Sequence, residues 1–350
     1  MATRWGICGT GVISNDFCAA ISSHPAEEHQ IVAVAARDLN RAKTFAAKFE
    51  IPTAYGSYQE LVQDPNIDIV YIGTIHTTHT SISLLCLNAG KPVLCEKPMC
   101  LTIDDVKEVL SLAKEKNLFF MEAVWSRCFP LYDEIRRQLD GGHMGKPLVV
   151  MASFVLPILD IARVGEKRLG GGGLMDIGSY TVQAANLVFK EMPEKITVEG
   201  ALSEEGVDSC ACIILRYSDN RMASLVYHTQ AMIENTDVPL PERAKKLDSN
   251  TFTIIGTKGQ IRVDSPFWCP TKMSGPSGIK EFPLPKMKYP VNLINSEGLY
   301  YEAGCVGECL KKGLKECPKM THTDSEIIHT IMADILKQLG VDYTGVAANI

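Results

Sequence analysis

The 350-residue chain contains no apolar run approaching the ~20 residues needed to cross a bilayer. Nor does it hold a basic cluster followed by a short apolar core of the kind that marks a secretory leader. Both absences predict a cytoplasmic protein with no membrane partner. Positive charge is scarce as well: 35 Lys and Arg stand against 41 Asp and Glu, a net charge of −6. The sequence pI of about 5.8 offers no basic face for nucleic acid. There is no internal repeat and no low-complexity tract. The twelve cysteines lack paired CxxC spacing, since Cys210-x-Cys212 and Cys305-xxx-Cys309 do not match a zinc framework. They read as free, mostly buried thiols, and no metal is expected.

Apolar residues, by contrast, make up 46% of the chain, enough for two sizeable cores at this length. The first part alternates strongly. Continuous apolar stretches at 5–8, 31–35, 68–72, 93–95 and 119–121 are separated by amphipathic segments. That rhythm predicts a parallel, doubly wound α/β sheet over residues 1–122. Residues 123–350 read differently, with a helix at 131–139, a long strand at 147–156, a glycine-rich loop and a helix through Tyr180, Ala184 and Leu187. Strands follow at 208–217, 221–229, 251–256 and 259–264, then helices at 296–313 and 323–339. This order predicts an α+β unit with a largely antiparallel sheet. The polar segment 234–250, with its two prolines, reads as a surface loop.

Gly9-Thr10-Gly11, with Ser14 three residues on, sits between the first strand and the first helix. The first glycine permits the tight turn and the second lets backbone approach a pyrophosphate. At the end of the second strand, where an NAD site places an acidic residue for the ribose hydroxyl, the chain has Arg37-Asp38 and then Arg41. Two guanidiniums suit a 2′-phosphate dianion, so the expected cofactor is NADP. Asp38 reads either as a helix cap or as a ribose ligand.

Glu96-Lys97-Pro98 follows a buried strand, at the carboxyl edge where open α/β sheets bind ligands. Downstream, Gly171-Gly172-Gly173 leads into Asp176-Ile177-Gly178-Ser179-Tyr180, with Asp176 and Tyr180 spaced to share one helical face. Hydride removal from a carbinol requires the hydroxyl proton to be accepted in concert. Tyrosine can serve if its pKa of about 10 is lowered. An ammonium ~4 Å away contributes roughly 1–4 kcal/mol, about one to three pKa units. Lys97 is the expected source, Tyr180 the base, and Asp176 an orienting group for a second hydroxyl.

These motifs together resemble the glucose–fructose oxidoreductase/inositol dehydrogenase/rhizopine-catabolism (Gfo/Idh/MocA) family over nearly the full length. The N-terminal glycine turn, the Glu-Lys-Pro step, the GGG-L-x-D-x-G segment and the C-terminal helical tail carry the resemblance. It implies a Rossmann domain followed by an α+β domain whose open-faced sheet forms a homodimer interface. Many members have histidine where this chain has Tyr180. The family often has Pro-Asn ahead of a histidine after the fourth strand. Here the segment is Thr74-Ile75-His76-Thr77-Thr78-His79, so His79 fits the family position and His76 is extra. Both read as cofactor or substrate contacts or as structural histidines, and Thr74 and Glu96 join them at the expected nicotinamide edge.

Trp125, Phe154, Ile158 and Ile177 are candidates for an apolar wall against a ring, with simple core packing the alternative for the aromatics. The resemblance implies NADP-dependent oxidation of small molecules. The expected substrates are trans-dihydrodiols of aromatic hydrocarbons, giving catechols, and D-xylose or related aldopyranoses, giving lactones. The alternatives are another sugar or polyol substrate, or a non-catalytic nucleotide-sensing regulator.

Overall fold

The computed structural model describes residues 2–231 and 249–347. The loop expected over 234–250 therefore lies, up to residue 248, outside the described residues. Six strands build the first sheet: β1 (Thr3–Cys8), β2 (His29–Ala35), β3 (Thr53–Tyr55), β4 (Ile69–Ile72), β5 (Val93–Glu96) and β6 (Phe120–Ala123). Their order is β3-β2-β1-β4-β5-β6, and every pairing is parallel. β4, β5 and β6 are buried at every position, as strands covered by helices on both faces must be. The order reverses between β1 and β4, which opens a crevice at their carboxyl ends. The sequence reading lacked β3 and the short helix Tyr58–Val62. Three partly buried edge residues give too brief an apolar pattern to stand out.

The second sheet has eight strands: β7 (Pro147–Val155), β8 (Lys195–Leu202), β9 (Asp208–Arg216), β10 (Met222–His228), β11 (Phe252–Gly256), β12 (Gln260–Val263), β13 (Lys272–Gly275) and β14 (Gly278–Glu281). They run in the order β14-β13-β12-β11-β7-β10-β9-β8, antiparallel except for the β7–β10 pair. Alternation decides the two faces. Ala211, Ile213 and Leu215 of β9 and Ala223, Leu225 and Tyr227 of β10 point inward, toward helix Ser179–Phe189. Ile214, Met222 and Met151 remain exposed on the other face. The final helix, His322–Leu339, packs on β8, on helix Ser179–Phe189 and on helix Ile103–Glu115 of the first sheet, so it joins the two halves.

Buried polar bonds fix the junction. Asp16, on the first helix (Val12–Ile21), is fully buried. Its carboxylate accepts from the amides of Asn292 (2.9 Å) and Leu293 (2.8 Å), from Asn292 Nδ2 (2.6 Å) and from Ser296 Oγ (2.7 Å). Glu122, at the end of β6, accepts from Ser325 Oγ (2.8 Å) and pairs with His329 Nε2 (2.9 Å) on the final helix. Because one charged acceptor satisfies several buried donors, replacing Asp16→Ala leaves them all unpaired. The expected loss is about 2–4 kcal/mol, read as a lower urea midpoint at unchanged slope. An unaltered midpoint would show that water or a local shift satisfies those donors equally well.

Candidate active site

The crevice begins at the Gly9 turn. Gly9 has φ +100°, a conformation L side chains avoid, and a Cβ there would sit 2.9 Å from the Gly73 carbonyl. Gly11 opens helix Val12–Ile21 without a side-chain cap, and nothing lies closer than 3.9 Å to the position its Cβ would take. An uncapped helix N-terminus with open space before it suits a pyrophosphate, so these residues fit a dinucleotide. Ser14 Oγ donates to the Gly73 carbonyl (3.2 Å), which ties the helix to the end of β4. Thr10 is half-buried on the rim of the turn, and the Thr74 methyl packs beside Gly9.

At the end of β2, Asp38 accepts from the Asn40 amide (2.8 Å) and caps helix Leu39–Phe49. The structure thus gives Asp38 the capping role among the two open readings. Arg37 and Arg41 are exposed on either side of it. Burial pushes the Tyr58 phenol above its ordinary pKa, and the guanidiniums of Arg37 and Arg41 pull against that.

Histidines 76 and 79 are engaged by the protein itself. His79 is buried, with Nδ1 2.8 Å from the Pro98 carbonyl and Nε2 3.2 Å from the Thr74 carbonyl. It joins the turn after β4 to the turn after β5, which is the structural reading of this residue. His76 Nδ1 lies 3.0 Å from the Gly170 carbonyl, and burial draws its pKa down to about 3. It is therefore neutral, and it anchors the glycine-rich loop at the crevice. Glu96 departs from the expected cofactor contact. Its carboxyl turns into the core, accepts from Tyr71 Oη (2.7 Å) and is pushed up to about 7 by burial.

Lys97, joined to Pro98 by a cis bond, reaches across to the second sheet's helix layer. Its Nζ donates to the Asp176 carbonyl (2.6 Å), lies 3.6 Å from Asp176 Oδ1 and stands 4.8 Å from the centre of the Tyr180 ring. Asp176 occupies a π-helical turn, Leu174–Gly178, rather than the regular α-helix the spacing predicts. That turn is seated by glycine. A Cβ on Gly173 would meet the Tyr227 ring at 2.7 Å, and Asp208 accepts from both the Leu174 amide (2.6 Å) and Tyr227 Oη (2.7 Å). The second oxygen partner of Asp176 is Arg163, whose Nη1 lies 2.6 Å from Oδ1. Arg163 is absent from the sequence reading, because nothing about a lone arginine in a polar loop announces it.

The electrostatics follow from this cluster. Burial alone would raise the Asp176 carboxyl, but Arg163 and Lys97 reverse that and hold it well below the usual carboxylate range. Burial draws Lys97 down, opposed by Asp176. The lowered Tyr180 pKa expected from Lys97 is not found. Burial pushes the phenol well above 10, and the main opposing contribution is the Trp125 indole N–H, which donates to Tyr180 Oη at 2.7 Å. The Lys97 ammonium lies over the ring face and is tied to Asp176.

The candidate wall residues Trp125, Phe154, Ile158 and Ile177 are all buried. Phe154 lies 5.8 Å from the Tyr180 ring, and Ile158 and Ile177 are buried in the same cluster. Trp268, which the sequence did not single out, stacks on Phe154 at 3.9 Å. A surface cavity of about 790 Å³ between loop residues 159–168 and 202–205 contains none of these groups, so volume alone does not mark the site.

Comparison with known proteins agrees with this geometry. A model described as "Oxidoreductase family, NAD-binding Rossmann fold" matches residues 3–124, and a GFO/IDH/MocA C-terminal domain model matches residues 132–262. The chain belongs to the Gfo/Idh/MocA oxidoreductase family. It is 47% identical to a trans-1,2-dihydrobenzene-1,2-diol dehydrogenase of Xenopus laevis over 98% of this chain and 100% of that protein. A human protein of the same name is 41% identical over 98% of each chain. Among solved structures, a levoglucosan dehydrogenase in complex with NADH and levoglucosan superposes with a TM-score of 0.81 at 18% identity, covering 97% of this chain and 98% of that one. An aldose–aldose oxidoreductase from Caulobacter crescentus gives 0.78 at 20% identity, covering 97% and 98%. The protein is thus an oxidoreductase with an NAD(P)-binding Rossmann domain.

The charge cluster makes a prediction independent of turnover. Asp176→Asn removes the carboxylate that supports the Lys97 ammonium, leaving the Asp176 carbonyl and Glu96 to oppose burial. The Lys97 titration, followed by NMR of the isotopically methylated side chain, moves down by about one to two pH units. An unchanged titration would mean that the Asp176 carbonyl alone holds the charge.

Proposed function

We propose that the protein is an NADP-dependent dehydrogenase of cyclic vicinal diols. Its substrates are trans-dihydrodiols of aromatic hydrocarbons, oxidised toward catechols, and D-xylose or related aldopyranoses, oxidised to lactones. The observation that carries this reading is the convergence of Lys97, Asp176, Tyr180 and Trp125 at the carboxyl edge of the parallel sheet, beside the Gly9 turn. The relatives named for trans-1,2-dihydrobenzene-1,2-diol support the diol.

A nicotinamide supplies the hydride acceptor when bound. The chain's own residues manage the proton. Tyr180 Oη takes the carbinol proton, and the Trp125 N–H donates into the phenolate as it forms. Lys97, held in place by the Asp176 carbonyl and carboxylate, presents its ammonium to the developing negative charge and to the substrate oxygen. Because burial keeps Tyr180 protonated through neutral pH, oxidation gains rate as pH rises toward the phenol's pKa. The reverse reduction, which uses the phenol as acid, is favoured below it. Phe154, Ile158, Ile177 and Trp268 form the apolar wall for a six-membered ring. Lys97 and Arg163 share the one carboxylate of Asp176, which leaves the cluster a net positive charge for the developing alkoxide.

For the cofactor, two exposed arginines, Arg37 and Arg41, on either side of Asp38, which caps its helix, favour a 2′-phosphate. A cofactor-reduction assay over a panel of dihydrodiols, aldoses and sugar phosphates, run with NADP and with NAD, tests the whole reading. Unphosphorylated diols and D-xylose should be oxidised with NADP. Arg37→Ala should weaken NADP far more than NAD, and Tyr180→Phe and Lys97→Met should each lower kcat by 100-fold or more, roughly the scale of general acid–base catalysis. Activity confined to a phosphorylated sugar sinks the substrate assignment, and equal losses for both cofactors in Arg37→Ala sink the phosphate clamp. No turnover with any substrate leaves the regulator reading.

The same proposal includes a twofold homodimer. Met151, Ile214 and Met222 line the open face of the eight-stranded sheet, an apolar area of the kind that a second copy covers. Sedimentation at micromolar concentration should give a dimer, and Ile214→Lys should give a monomer. A wild-type monomer at that concentration contradicts it.

A further inference from the structure

Twelve cysteines without zinc-like spacing suggest scattered thiols, yet the fold gathers three of them and brings a fourth nearby. Cys305 and Cys309 lie one helical turn apart on helix Leu299–Lys311 and face the loop that follows, where Cys317 is fully buried. One sulfur from each of these three lies within 4.8 Å of the others, and the Cys305 and Cys317 sulfurs are 3.3 Å apart. Cys128 lies in the surroundings of Cys305, outside the set whose sulfurs are all within 4.8 Å of one another. A tetrahedral zinc with Zn–S bonds of about 2.3 Å places its sulfurs roughly 3.8 Å apart, close to the spacing found. The sequence pattern hides the set because its near pair is a helical i,i+4 pair and its fourth member is 177 positions from the nearest of the others.

We propose that Cys305, Cys309 and Cys317 form a thiolate site for Zn(II) or another thiophilic divalent cation, with Cys128 completing the set as fourth donor once its side chain turns toward the ion. An all-sulfur donor set selects soft or borderline metals over Mg(II) and Ca(II). Binding exchanges the thiol protons for the metal, with no change of oxidation state at sulfur. Four thiolates around a dication carry a net double negative charge, and Lys319, two residues after Cys317, is anchored to Asp133 at 2.7 Å. Cys305 is partly exposed and gives the ion its entry path. Cys128 closes the turn Trp125–Cys128, whose first residue donates to Tyr180, so the metal would clamp that turn to helix Leu299–Lys311. The other cluster with ligand-like spacing, His24, Glu28 and His29, does not qualify. The Trp5 indole donates to His29 Nδ1 at 3.0 Å, which fixes the proton on the nitrogen that would have to bind.

The test uses the full chain, purified reduced and chelator-free, and titrated with Co(II). One equivalent should bind, with sulfur-to-cobalt charge transfer in the near ultraviolet and intense tetrahedral d–d bands, all displaced by Zn(II). Cys309→Ser and Cys128→Ser should each weaken or abolish the charge-transfer signal, while Cys212→Ser, at an exposed position outside the cluster, should leave it intact. Zn(II) should raise the wild-type Tm and leave that of Cys309→Ser unmoved. Absence of the cobalt–thiolate signal in fully reduced wild-type protein overturns the proposal. So does retention of the full signal in Cys309→Ser, or a Cys305–Cys317 disulfide found by mass spectrometry in metal-free protein that resists reduction. Should the serine variants fail to fold, competition of the wild-type protein against a chromogenic zinc chelator decides, and zinc affinity no better than that of free thiols counts against the site.

Discussion

The arrangement depends on one buried charge. Lys97 stands at the end of a parallel strand, almost out of water, and an ammonium in that position costs several kcal/mol unless it is compensated. Compensation comes from the other half of the chain. The Asp176 carbonyl and carboxylate both meet Nζ, and Arg163 keeps that carboxylate ionised. The site therefore exists only when the two sheets are docked. The docking is in turn secured by polar groups with multiple partners, such as Asp16 and Glu122, rather than by apolar contact alone.

A second consequence concerns the acid–base group. Tyr180 sits under Lys97 with its hydroxyl bonded to an indole N–H. A cation over a ring face stabilises the aromatic system, but it is not a direct partner of the oxygen. Burial then dominates, and the phenol is a weaker acid than in water. The indole N–H is thus bonded to the phenolic oxygen itself. A pairing argument based only on Lys97 and Tyr180 had no means of finding it.

Backbone geometry supports the same residues. The π turn at Leu174–Gly178 brings the Asp176 carbonyl within reach of Lys97, and glycines allow that turn to lie directly on Tyr227 of the sheet. On the opposite side, His76 holds the glycine-rich loop through the Gly170 carbonyl, while His79 links the turns after β4 and β5. Both histidines, which the sequence leaves open as cofactor or substrate contacts or as structural residues, are bonded to backbone carbonyls of the groups around them.

The sequence by itself determined the doubly wound sheet, because continuous apolar strands separated by amphipathic helices bury both faces in only one way. It also determined the glycine turn, the lysine after β5 and the tyrosine after the glycine-rich loop, since each has a local conformational or chemical requirement. Tertiary structure decided what no local pattern carries. Asp38 caps a helix, Glu96 turns into the core, and Arg163 and Trp268 enter the site from loops whose composition is unremarkable. Tyr180 is shifted upward, because a pKa depends on burial and partners from several elements at once. The three clustered cysteines also meet only in three dimensions, because an i,i+4 helical pair and a cysteine on the following loop share no spacing that a linear reading could recognise.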